Sequence, residues 1–302
     1  LMVDEYRPLA NKTVSGVYPP GSTFKMVVAM AALEAGVMGP GDTVFCGGST
    51  RLGRRRFHCW KRGGHGTVDL RKSLQQSCDV YYYEMARRVG ADAISEMANR
   101  LGLGVRPDLP LQAVTEGLMP KREWKQANRD TPWTMGDTFN YGIGQGLTLA
   151  SPVQLAIMTA RIATGRDVTA RLVKSVGGVE EPTPAWSDLG LSERSLNAVR
   201  DGMFAVSNGG TASRSRIGDP ANLMAGKSGT SQVRNITAAE RARGVVRNDQ
   251  LPWERRDHGL FVGYAPFDKP KYAISLIVEH GGGGSSAAAP PARDILLYAL
   301  YG

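Results

Sequence analysis

Ser22 and Lys25 are the residues from which a reading of this chain starts. They sit in Tyr18-Pro19-Pro20-Gly21-Ser22-Thr23-Phe24-Lys25, just ahead of the apolar run MVVAMAALEAG. Two prolines force an extended approach, and Gly21 lets the backbone turn before a helix begins. That helix is expected to run to Ala35 with Gly36 as its stop. It is apolar almost all round, so it should be buried. Residues three apart share a helix face, which puts the Ser22 hydroxyl beside the Lys25 amine. Desolvation would lower the lysine's proton affinity and make it a base for the serine at neutral pH. A serine at a helix start is more often only a cap. The catalytic reading therefore needs further residues in support.

They follow in order along the chain: Ser77-Cys78-Asp79, then Lys227-Ser228-Gly229-Thr230. Ser-x-x-Lys, Ser-x-Asp and Lys-Ser-Gly-Thr in this sequence resemble the triple signature of penicillin-binding proteins and serine β-lactamases. YPPGSTFK, SCD, YGIGQG and KSGT are similar in content and order to the transpeptidase domain of class B penicillin-binding proteins, over nearly the whole chain. WKRGGHG ahead of SCD resembles the elongation-specific penicillin-binding protein 2 group more than the septal one. The middle motif is S-x-D here, where most of the superfamily has S-x-N.

The resemblance implies a peptidoglycan D,D-transpeptidase, a serine acyltransferase of cell elongation and rod-shape maintenance. Ser22 would attack the D-Ala-D-Ala carbonyl of a stem peptide, with Lys25 as general base. Ser77 would relay a proton to the leaving amine, held by Lys227 and oriented by Asp79. The backbone N–H groups of Ser22 and Thr230 would form the oxyanion hole. Lys227, Ser228, Gly229 and Thr230 would hold the substrate's terminal carboxylate. β-Lactams would acylate Ser22 in the same way. The rivals are a serine β-lactamase, a D,D-carboxypeptidase and a non-enzymatic β-lactam sensor domain. A β-lactamase would need a water-activating group, for which Glu116 and Glu123 are the nearest candidates.

The elements that must position these residues are legible in part. The chain has 302 residues, 42% hydrophobic and 22% charged, which suits a single globular domain with a sizeable core. Asp69 should cap LRKSLQQ, and VYYYEMARRVG should form a helix ending at Gly90. A further helix is expected from Ala91 to Leu103. Residues 107–137 read as irregular. YGIGQG reads as a tight turn before a helix opened by Ser151-Pro152. Short strands and proline turns are expected over 171–188, followed by a long helix capped by Ser192 and stopped at Gly209-Gly210. HGLFVGYAP and KPKYAISLIVEHG alternate as strands and pair with the KSGT strand, and a closing helix follows. The fold class is therefore α+β. By resemblance it is the penicillin-binding, serine β-lactamase-like transpeptidase fold, a central antiparallel sheet with helices on both faces and an all-helical subdomain.

Residues 39–66 form a Gly-rich excursion within that domain, poor in apolar residues. It holds Cys46, His58, Cys59 and His65, while Cys78 lies inside the second motif. Cys46, Cys59, His65 and Cys78 would suit tetrahedral zinc as a structural site. A Cys46–Cys59 disulfide or buried free thiols are the alternatives. By resemblance, related metal sites have an aspartate where this chain has Cys59. The acyl transfer itself requires no cofactor.

Two motifs are false leads. YGIGQG lacks both the spacing and the leading strand of a dinucleotide site. Ala221-x4-Gly226-Lys227-Ser228 misses a phosphate-binding loop by its first glycine, and β-like residues follow where that loop needs a helix. The net charge is +9. Arg51, Arg54, Arg55, Arg56, Lys61 and Arg62 cluster around Phe57 and Trp60, but no nucleic-acid motif accompanies them, and a solvated or partner-facing loop is expected. No run is long enough to span a bilayer. The sequence opens at Leu1 and reads as an excised piece of residues 1–302. The resemblance implies a preceding membrane anchor and pedestal domain, a location at the periplasmic face of the bacterial inner membrane, and partners including a SEDS-type glycosyltransferase and elongation-complex proteins.

Overall fold

The computed structural model describes residue 4 and residues 6–302. After a short helix α1 (Lys12–Ser15) comes a 3-10 turn at Gly21–Phe24, which passes into α2 (Lys25–Glu34). Every residue of α2 from Lys25 to Ala32 is buried, and Gly36 takes φ +66°, ending the helix where the sequence expects. The excursion is made of four short strands: β1 (Val44–Cys46), β2 (Ser49–Leu52), β3 (Arg55–His58) and β4 (Gly66–Val68). β1 pairs with β4 and β2 with β3, both antiparallel.

Helices α3 (Leu70–Gln75), α4 (Asp79–Val89) and α5 (Ala91–Arg100) follow. Asp69 caps α3 by accepting from the Lys72 N–H at 2.8 Å, and Gly90 closes α4. Two helices interrupt the stretch read as irregular, α6 (Arg122–Arg129) and α7 (Met135–Gly142). No residue of α6 is buried, so no apolar stripe betrays it. α7 starts at a reciprocal cap between Thr134 and Asp137 and takes in the first two residues of YGIGQG. Ser151 and Gln154 cap α8 (Pro152–Thr164) in the same way.

A small hairpin, β5 (Ser175–Val176) with β6 (Val179–Glu180), leads to α9 (Glu193–Gly209), whose cap Ser192 accepts from the Ser195 N–H. Then come β7 (Ala225–Ser231), α10 (Ala238–Arg243), β8 (His258–Ala265), β9 (Tyr272–Val278), α11 (Gly284–Ala287) and α12 (Ala289–Tyr301). β7, β8 and β9 form an antiparallel sheet in that order, with Lys227 opposite Val262. β8 is buried at every position from Gly259 to Ala265, which requires cover on both faces. Helices α8, α11 and α12 supply it, while α9 packs on β7. The core runs from α2 through α4 and α9 into this sheet. Among the described residues no helix is long and apolar enough to cross a membrane.

Candidate active site and the cysteine-histidine cluster beside it

The turn carrying Ser22 is wedged between two other segments. Gly21 takes φ +54°, and its N–H donates to the Gly144 carbonyl at 2.9 Å. A Cβ on Gly21 would lie 2.4 Å from the Thr230 carbonyl, and one on Gly144 would lie 2.3 Å from the Gly21 carbonyl. Glycine at both positions lets the YGIGQG loop, the Ser22 turn and β7 touch backbone to backbone. Gln145 adds a bond from Nε2 to the Thr230 carbonyl at 3.0 Å.

Beneath this turn two lysines are wholly buried, Lys25 and Lys227. Lys25 Nζ donates to Asp79 Oδ1 at 2.7 Å, to the Ser77 carbonyl at 2.9 Å and to Ser77 Oγ at 3.2 Å. Lys227 Nζ reaches the same Ser77 Oγ at 3.0 Å. Ser77 itself takes φ +54°, a left-handed conformation that costs a non-glycine residue about 1–2 kcal/mol and persists only where surroundings enforce it. It places one hydroxyl between the side-chain nitrogens of two lysines. Burial, and after it the Lys25 charge, pull the Lys227 proton affinity well below the ordinary lysine range. Lys25, the lysine expected to act as base, is ion-paired with Asp79. Among the described residues Ser22 Oγ has no hydrogen-bond partner.

Ser22, Ser77, Asp79, Ser228, Gly229 and Thr230 all line one cleft of about 1240 Å³. The three motifs thus meet, and Lys227 and Ser228 lie on a strand, not ahead of a helix as a phosphate-binding loop requires. Neither Glu116 nor Glu123 is among the cleft-lining residues. Trp60 and Thr211 were not singled out from sequence as site residues. The Trp60 N–H donates to Asp79 Oδ2 at 2.9 Å, and its indole donates to the Gln76 and Ser77 carbonyls. Trp60 therefore fixes both ends of the Ser77–Asp79 segment. Thr211 Oγ1 lies 3.0 Å from Ser228 Oγ. Its one sequence signal is its position directly after the glycines that stop α9.

Immediately behind Ser77 and Asp79, Cys78 meets Cys46, Cys59 and His65. Their four ligand atoms lie within 4.8 Å of one another, and all four residues are buried. All three cysteines are free, so the Cys46–Cys59 disulfide is not formed. The sulfurs of Cys46 and Cys59 stand 3.6 and 3.5 Å from His65 Nδ1. A sulfur and a nitrogen on one tetrahedral zinc would be roughly 3.6 Å apart. The donor set and its spacing therefore fit such an ion, and the cluster can hold a metal. The Asp79 N–H also donates to Cys59 Sγ at 3.4 Å, tying the cluster to the site. A hydrogen bond from Cys78 draws the Cys59 thiol down to about 5, and Cys78 is pushed up in return.

Fold and cleft together define a domain of the penicillin-recognising kind. Residues 2–297 match the family described as penicillin binding protein transpeptidase domain, and the chain belongs to it, in its class B branch. Its relatives narrow the branch further. It is 37% identical to the peptidoglycan D,D-transpeptidase MrdA of Haemophilus influenzae over 99% of this chain and 47% of that protein. It is 35% identical to MrdA of Escherichia coli K12 over 93% of this chain and 45% of that protein. Among solved structures it is similar to Pseudomonas aeruginosa PBP2 in complex with WCK 5153, with a TM-score of 0.86 and 36% identity, covering 100% of this chain and 63% of that one. It is also similar to PBP2 of Helicobacter pylori in complex with MreC, with a TM-score of 0.86 and 32% identity, covering 100% of this chain and 53% of that one. The chain spans about half the length of the curated relatives it matches.

Proposed function

We propose that this chain is the catalytic part of an elongation-type peptidoglycan D,D-transpeptidase. The observation that carries the reading is Ser77 Oγ held between Lys25 Nζ and Lys227 Nζ, in the same cleft as an unpartnered Ser22 hydroxyl. Ser22 Oγ attacks the penultimate D-Ala carbonyl, and its proton passes to Lys25 once that amine is neutral. The C–N bond then breaks, and Ser77 passes a proton to the departing D-Ala amine. Asp79, fixed by Trp60, positions Lys25, and Lys227 positions Ser77. The N–H groups of Ser22 and Thr230 stabilise the oxyanion. Lys227, Ser228, Gly229 and Thr230 hold the terminal carboxylate. The acyl group finally moves to the amine of a neighbouring stem peptide, which forms the cross-link. β-Lactams acylate Ser22 by the same attack.

Cys46, Cys59, His65 and Cys78 would hold a structural zinc, which supplies rigidity to the Ser77–Asp79 loop and no step of the transfer. The whole protein would carry a membrane anchor and pedestal ahead of residues 1–302 and work at the periplasmic face of the inner membrane. Its partners would include elongation-complex proteins and a SEDS-type glycosyltransferase. The similar structures of PBP2 with MreC and of a peptidoglycan synthase complex support this.

The test is intact-mass spectrometry after adding a penicillin, beside Ser22→Ala. A slowly hydrolysed adduct on the wild type alone is expected. Rapid drug hydrolysis without an adduct would make the protein a β-lactamase, and neither event would mean that the three motifs do not form a working site.

A further inference from the structure

The densest positive run of the sequence turns out to face the active site. Arg54, in the turn before β3, and Arg55 and Arg56 on it line the same cleft as Ser22 and Ser77. Arg234 and Arg241 line it from the segment that follows β7. The one acidic side chain among the lining residues is Asp79, already paired with Lys25. Arg234 is neutralised by a two-pronged pair with Glu240 at 2.6 and 2.7 Å. Among the described residues Arg54, Arg55, Arg56 and Arg241 form no ion pair, although Arg241 stands near enough to Glu240 to help hold its carboxyl down.

These four are brought together from two distant parts of the chain, at a cost in like-charge repulsion that folding alone does not call for. Arg55 is held in place: its guanidinium lies 4.8 Å from the centre of the Phe57 ring, which is itself buried against Tyr83 and Phe139. The local field is strongly positive. His58 is held below the usual imidazole range, by burial first and then by the charges of Arg241, Arg56 and Arg62.

The direction of the cleft says what such a wall meets. β7 is an edge strand, with no strand paired to it on the side away from β8 among the described residues. An extended peptide can lie along that edge, with its terminal carboxylate at Ser228 to Thr230. Past Ser231 the lining continues through Gln232 and Val233 toward the arginines. Residues of the donor upstream of its terminal pair therefore fall within their reach.

Building on the acyl-transfer reading above, we propose that this arginine wall recognises the side carboxylates of the donor stem peptide. The preferred donor is one whose carboxylates are free along its length, and amidation of those groups weakens it.

Two synthetic donors ending in D-Ala-D-Ala, identical except that their upstream carboxylates are free or amidated, test this. The second-order rate of D-Ala release is measured for each on the wild-type chain, Arg56→Gln/Arg241→Gln and Arg56→Lys/Arg241→Lys. A charge-assisted contact gives the wild type a preference for the free donor of roughly tenfold or more. That preference should shrink at about 0.5 M salt, where exposed charges are screened. It should be lost in the Gln pair through a slower free donor, and partly kept in the Lys pair. Equal wild-type rates, or a preference that survives in the Gln pair, overturn the proposal. Penicillin acylation of the wild type separates the two claims. If penicillin acylates Ser22 while the donors react equally or not at all, the arginine wall is refuted and the acyltransferase stands. If penicillin does not acylate, both fall.

Discussion

The two walls of the cleft are built by opposite means. One wall, α2 and β7, is made from the protein's core: Lys25 lies on a helix buried through most of its length, and Lys227 on a strand paired to a fully buried neighbour. The other wall, residues 39–66, has strands of three and four residues and an exposed Phe45 and Trp60. Few of its side chains are buried, and Cys46, Cys59 and His65 are among them, meeting Cys78 in one cluster. The difference teaches why Ser77-Cys78-Asp79 matters beyond its two catalytic-type side chains. Ser77 and Asp79 face the lysines of the first wall, while Cys78 between them belongs to the cluster of the second.

The largest expected effect lies in the core-built wall. Lys227→Met should slow Ser22 acylation by roughly a hundredfold to ten-thousandfold, read by stopped-flow with a chromogenic cephalosporin. Folding should not suffer, because Met fills the site without a buried charge. The sign of the pH dependence follows. The unfolded chain keeps an ordinary lysine near 10.5, and the folded one lies well below it. Between those values the unfolded state binds the extra proton, so this group makes the folded state gain stability as pH rises. Urea titrations across that window should show the gain in the wild type and lose it in Lys227→Met.

Gly144→Ala comes next. A methyl there at φ +68° would meet the Gly21 carbonyl at 2.3 Å. The expected loss is about 2–4 kcal/mol, measured by urea denaturation, with slower acylation because the Ser22 turn must shift.

Cys46→Ser acts on the other wall. Amide exchange should quicken at least tenfold (~1.4 kcal/mol) across residues 44–68 and leave β7–β9 untouched. Uniform loosening of both walls would break the comparison. The smallest effect is expected from Trp60→Phe. It removes the indole bonds to Gln76 and Ser77 but keeps the backbone bond to Asp79, for about 1 kcal/mol in acylation barrier or stability.

The same contrast governs what could be read from sequence. The core-built wall announced itself, since its signals are local. The end of α2 at Gly36, the Asp69 cap and the Ser151-Pro152 start are each written within a few residues, whereas β8 and β9 form where expected but without the alternation, since β8 is covered on both faces. Helix α7 was missed because Gly136 and Gly142 lie inside it and weaken its pattern, although Thr134 and Asp137 form its cap. Helix α6 buries nothing and so left no stripe. In the site, the Ser-x-x-Lys, Ser-x-Asp and Lys-Ser-Gly-Thr spacings carried the chemistry. The pairing of Lys25 with Asp79, and the desolvation of Lys227, depend on chain folded back from a distance. Trp60 and Arg241 share that obscurity. Trp60 opens WKRGGHG and Arg241 lies outside every motif, but what each faces in the cleft is set only in three dimensions.

If the cysteine-histidine cluster holds the second wall against the first, it keeps Ser77 and Asp79 on the lysines, and removing its metal should release them. One measurement addresses it most directly: the rate of Ser22 acylation by a penicillin on protein loaded with zinc and on the same protein stripped by a chelator, with amide exchange followed in parallel. A slower rate in the stripped protein, with exchange rising over residues 44–79 and unchanged in β7–β9, is the expected result. An acylation rate indifferent to the metal, with the excursion still protected, would contradict it.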